Sequence, residues 1–83
     1  MTQVINTEVN VSSYYFAGRE MKTFPREIEY GGEAVTFASG LRYLVRQGKE
    51  AVRLFDMSVA DGQVWRLRQD GSHWTLLATK GVA

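Results

Sequence analysis

The chain has no cysteine, one proline and one histidine. Without cysteine there can be no disulfide framework, thiolate zinc site or cysteine nucleophile, and the absence fits a reducing compartment. Charge of neither sign is in excess, with ten Lys and Arg against nine Asp and Glu, so a strongly cationic nucleic-acid binder is not the expectation. No apolar run approaches the length that spans a bilayer. The segment Met1–Glu8 lacks the basic and long apolar regions of a secretory signal, so the expected location is cytoplasmic. Linkers, low-complexity tracts and charge blocks are also missing. The single proline, Pro25, opens a strand-like run where a missing N–H is tolerable. These features give one domain over residues 8–83, preceded by a flexible arm at 1–7. At 83 residues such a domain buries roughly 60 to 65% of the surface its open chain exposes, which leaves a thin stability margin.

What is present is two hairpin signatures. In the run from Gln63 to Ala78, two alternating apolar and polar segments are joined by Asp70-Gly71, a pair that accepts the positive φ values of a two-residue primed turn. Placing the loop at Asp70-Gly71 pairs Leu67 with Trp74 and Trp65 with Leu76 on one face. Arg66, Arg68, His73 and Thr75 then lie on the other, interrupted at the far end by Val64 and Leu77. Gly31-Gly32 gives a second hairpin, pairing Ile28 with Val35 and Tyr30 with Glu33, and placing Glu27, Glu29, Ala34 and Thr36 on the wet face. The two hairpins align without gaps, and their exposed charges are opposite: Glu27 and Glu29 correspond to Arg66 and Arg68. A further strand is expected from Glu8 to Gly18, with Val9, Val11 and Tyr15 on a face that Tyr14 and Phe16 do not share.

Between the hairpins, period points to a helix near residues 40–56. At 100° per residue, Arg42, Arg46, Lys49, Glu50, Arg53 and Asp56 fall within an arc of roughly 120°, opposite Leu41, Leu44, Val45, Ala51, Val52 and Phe55. Ser39 can cap such a helix. Gly48 stands against it: as a left-handed residue it ends the helix, turns Glu50–Val59 into a strand and makes the fold a small all-β barrel. The expected fold is α+β and mostly β, a small antiparallel sheet covered by one amphipathic helix.

Catalytic equipment is sparse. Asp70, Ser72 and His73 do not form a triad, because strand alternation sends Ser72 and His73 to opposite faces. The segment Asp56–Gly62 is a poor calcium loop, with Ala60 where an oxygen ligand is needed and Leu67 where a bidentate Glu belongs. No phosphate cradle or nucleophile elbow is present. No metal or cofactor is expected, and the expected role is non-catalytic binding to another protein or to a second copy. The candidate binding face is Arg66, Arg68, His73 and Thr75, with Glu27 and Glu29 as a complementary acidic strip. Those strips can meet within one molecule or across two. Single-stranded nucleic acid is the alternative partner, held by these basic residues with Arg42, Arg46, Lys49 and Arg53 and a ring from Tyr14 or Phe16. A small enzyme or ligand carrier with a concealed pocket is the third reading.

Overall fold

The computed structural model describes residues 2–81, and every described element is a strand. In chain order these are β1 (Thr2–Ala17), β2 (Lys22–Tyr30), β3 (Glu33–Thr36), β4 (Ser39–Gln47), β5 (Glu50–Ser58), β6 (Val64–Asp70) and β7 (His73–Lys80). They form one open antiparallel sheet in the order β3-β2-β1-β7-β6-β5-β4. The long β1 is shared: Thr2–Val9 pairs with β7, and Asn10–Ala17 pairs with β2. Residues 2–7, read from sequence as an arm, thus lie in the ladder. Met1 of that arm and the last two residues of the 8–83 unit lie outside the described residues.

The α+β expectation is corrected at residues 40–56. Leu41 to Val45 and Val52 to Asp56 are the two legs of a hairpin whose two-residue loop is Gly48-Lys49, with Gln47 facing Glu50 and Gly40 facing Met57. Gly48 adopts φ +64°, a left-handed value that no right-handed helix can pass through and that glycine adopts without steric cost. The helical arc failed because the charged positions read equally well at period two. Arg42, Leu44 and Arg46 alternate with Leu41, Tyr43 and Val45, which send their side chains to opposite faces. Pairing on both sides of β5 then buries Phe55 and Met57 completely. Of the alternative at Gly48, the left-handed glycine and the strand after it are observed, but residues 39–47 before it are a strand and not a helix, and among the described residues no backbone ladder closes the sheet into a barrel.

The β2–β3 wing folds over the inner face of β5, β6 and β7. Phe24 meets Phe55 edge-on, Tyr30 and Phe37 meet Trp65, and Phe55 lies against Trp74 at a centroid distance of 5.0 Å. Val9, Ile28, Phe37, Phe55, Met57, Leu67, Trp74 and Leu76 form the buried cluster that these rings surround. Paired irregularities in β1 and β2 near Val11–Tyr14 and Pro25–Glu27 let β1 bend from one partner to the other. Pro25 sits beside that irregularity inside β2, opposite Tyr14. Gly40 supplies the room for Met57, whose sulfur occupies the space a Cβ at 40 would need.

The Gly31-Gly32 hairpin has the expected register, with Ile28 opposite Val35 and Tyr30 opposite Glu33. The last hairpin does not. Its loop is Gly71-Ser72, so Leu67 faces Leu76, Gln69 faces Trp74, and Arg68 faces Thr75. Gly71 takes φ +62° while Asp70 stays in the ladder opposite His73. A positive φ costs glycine nothing and aspartate something, which favours this placement. An irregularity at Leu77 then brings Ala78 opposite Arg66 and Thr79 opposite Trp65. Up to that irregularity the pairing differs from expectation by two residues, which is one strand period, so Leu67, Arg68, His73, Trp74, Thr75 and Leu76 keep their faces; beyond it the shift is three, with Trp65 opposite Thr79 in place of Leu76. The gap-free alignment of the two hairpins fails, because their loops no longer coincide.

Candidate functional site

Arg66, Arg68, His73 and Thr75 do share the outer face of β6 and β7, where Arg68 lies directly opposite Thr75. The structure adds acids to this face. Arg66 donates through Nε to Asp56 Oδ1 at 2.8 Å and through Nη2 to Oδ2 at 3.1 Å, a two-pronged pair across the β5–β6 ladder. Tyr43, on β4, donates its hydroxyl to the same Asp56 Oδ2 at 3.1 Å. The Asp56 hydrogen bond holds the Arg66 guanidinium above its ordinary pKa. Burial, followed by the Asp56 carboxylate, raises that of the Tyr43 phenol. Arg68 lies 3.9 Å from Asp70, and His73 Nδ1 lies 3.1 Å from Glu8 Oε2. A set of cations read from sequence as a basic face is thus an alternating field of both signs.

Glu27 and Glu29 are not the partners of these arginines. β2 is separated from β6 by β1 and β7. Glu27 instead accepts from Ser12 Oγ at 2.9 Å and from Thr36 Oγ1 at 3.3 Å, bracing the strands on either side of it. Glu29 is exposed between Asn10 and Ala34. The two strips do not meet within one molecule.

Next to the Asp56–Arg66 pair, the outer face holds an open cleft of about 580 Å³, lined in part by Leu41, Ser58, Ala78 and Lys80. It mixes hydroxyls, both charges and short apolar groups, with no group of three or more His, Asp or Glu placed to hold a metal among the described residues. No described helix is long and apolar enough to cross a membrane.

A surface that the sequence reading missed lies on β4. This strand is one edge of the sheet, nine residues long, and no strand among the described residues pairs with its outer side. Because the hairpin loop has two residues, Gln47 and Glu50 form the first hydrogen-bonded pair. Alternation then leaves the N–H and C=O groups of Gly40, Arg42, Leu44 and Arg46 pointing off the edge. The side chains of these same residues point to the inner face, with Arg53 directly opposite Leu44 and Gln69 beyond it. On that face β4, β5 and β6 present Arg42, Arg46 and Arg53 and no carboxylate, since Glu50, Asp56 and Asp70 belong to the other face by alternation. None of the three arginines makes an ion pair among the described residues. Arg42 donates to the Thr23 carbonyl at 3.1 Å and lies 5.7 Å from the Phe55 ring centre. Burial and then the nearby Arg53 charge lower its pKa. Leu44, between Arg42 and Arg46, is 61% exposed, and Leu41, on the outer face, is 70% exposed.

These arginines were visible in the sequence as the polar arc of a helix. Reading the segment as strand would have placed them on one face with Leu44 between them. Comparison of the chain with protein-family models, curated proteins and solved structures gives no match. Function is therefore argued from the geometry alone.

Proposed function

We propose that this chain is a non-catalytic interaction module that adds an extended segment of another polypeptide, from a different protein or a second copy, to the open edge of β4. The observation that carries the reading is the unpaired edge itself: a nine-residue strand whose N–H and C=O groups point outward at every second residue, with Leu41 and Leu44 exposed along it. Long edges of this kind pair with another strand unless they are protected, and main-chain hydrogen bonds supply the affinity. The opposite edge, β3, has only four residues and offers far less ladder. A cytoplasmic setting goes with this reading and is supported by the lack of cysteine.

Single-stranded nucleic acid remains the second reading, supported by the unpaired Arg42, Arg46 and Arg53. Against it, Trp74 and Phe55 are buried and Trp65 packs against the core, so the larger rings are spent inside. Leu44→Pro tests the main reading. It removes an outward N–H and no internal ladder bond, so the fold should survive. Light scattering and affinity capture from native extract should show a dimer or a bound polypeptide with the parent chain, and neither with Leu44→Pro. A parent chain that is monomeric at high concentration and captures the same set as the variant refutes the proposal.

A further inference from the structure

The edge of β4 carries its own specificity. We infer that its partner is an extended acidic segment with the pattern acid-x-apolar-x-acid, bound antiparallel so that its two carboxylates meet Arg42 and Arg46 and its apolar residue meets Leu44. This inference rests on the edge-pairing reading above and specifies the class of chain that the edge takes.

The register dictates the pattern. A strand added to β4 continues the inner-face rows that already run Leu44–Arg53–Gln69 and Arg42–Phe55–Leu67. Side chains directly opposite in an antiparallel pair share a face, so the residues facing Arg42, Leu44 and Arg46 all project to the inner side. Arg42 and Arg46 are four residues apart, about 13 Å along a strand, which is the separation of positions one and five of an incoming strand. Opposite charges directly across a ladder stabilise it and like charges oppose it. No acidic side chain of β4, β5 or β6 shares this face, so the demand for carboxylate is not met from those strands. Arg42 is held on this face by the Thr23 carbonyl and the Phe55 ring, and neither it nor Arg46 meets a carboxylate among the described residues.

Charge also ranks the possible occupants. A second copy can align β4 with β4 about Tyr43, placing Arg42 opposite Leu44 and Arg46 opposite Gly40. That arrangement crowds the arginines of both copies onto one surface and supplies no acid. A nucleic acid supplies anions but no peptide groups to the outward ladder of Gly40, Arg42, Leu44 and Arg46.

The test uses the full chain and the labelled, end-blocked peptide Glu-Val-Leu-Thr-Glu-Val-Ser, followed by fluorescence anisotropy. Its two Glu residues fall opposite Arg46 and Arg42. The expected result is saturable binding, weakened on the order of tenfold when both Glu are replaced by Gln, and weakened further as salt rises. Arg46→Glu should lose the acidic peptide and bind a peptide with Lys at the facing position, a rescue that damage to the fold cannot produce. Leu44→Pro should abolish binding of every peptide. Equal affinity for the Glu and Gln peptides overturns the charge pattern and leaves the edge reading standing. Failure of all peptides overturns this inference. If the chain is then a dimer broken by Leu44→Pro, a second copy owns the edge. If instead it binds a thymidine homopolymer through Arg46, both the inference and the edge reading fall.

Discussion

Asp56→Ala is the sharpest test of whether the outer-face arginine is structural or available. The Asp56 side chain is only 20% exposed and accepts three hydrogen bonds, two from Arg66 and one from Tyr43. Removing it leaves the part-buried Tyr43 hydroxyl without its acceptor and Arg66 without its counter-charge. An unsatisfied buried hydroxyl costs about 1–3 kcal/mol, and partial exposure places Tyr43 near the low end. The Arg66 side chain is 51% exposed, so solvent screens much of its attraction and the ion pair contributes no more than about 1 kcal/mol. The expected loss for Asp56→Ala is about 2 kcal/mol, and for Arg66→Gln about 1 kcal/mol. The double variant should fall short of the sum by about 0.5–1 kcal/mol, because the pair can be lost only once. Urea unfolding followed by tryptophan fluorescence measures all three, and each kcal/mol should move the melting midpoint by about 4–8 °C in a domain of this size. Strict additivity, or a gain of stability in Arg66→Gln, would refute the claim that Asp56 holds Arg66.

Alkaline pH supplies a second check. Burial, the largest cause for each, raises the folded-state pKa of Tyr43 and Tyr15 above the ordinary tyrosine value of about 10. A raised folded pKa contributes stability that is complete below pH 10 and lost as pH rises through the folded value. Stability should therefore fall above pH 10, and Tyr43→Phe should flatten that fall; an unchanged slope counts against the Tyr43–Asp56 contact. Phe55→Ala should cost about 3–5 kcal/mol, since its ring is fully buried against Trp74 and Phe24, and leave a domain this small largely unfolded by circular dichroism. Gly48→Ala should cost about 1 kcal/mol through its φ of +64° alone, with no neighbour within 4 Å of the new methyl; a stabilised variant would revive the helix.

The alternation around the last turn settled much of what the sequence could settle. It placed Leu67, Trp74 and Leu76 inside and Arg66, Arg68 and His73 outside, and those faces survived a two-residue error in register because the strand period is two. The Gly31-Gly32 turn fixed its own hairpin, since both loop positions take positive φ and glycine alone does so freely. Local pattern could not decide residues 40–56. Arg42, Arg46, Arg53 and Asp56 fit one arc of a helix, and the same residues fit two strands that split them between faces. The choice rests on β5 being paired on both sides, which is a property of distant residues.

Charge partners were out of reach for the same reason. Glu27 and Glu29 matched Arg66 and Arg68 in sequence, yet strand order puts β1 and β7 between them and gives Arg66 to Asp56. The sequence by itself determined the Gly31-Gly32 turn, the faces of the last hairpin near its loop and most of the core, because these follow from backbone sterics and a two-residue period. Tertiary structure alone decided which strand lies beside which, and with it which charges are neutralised and which edge is left open. Pairing energy comes from contacts between segments far apart in the chain, and no local window contains it.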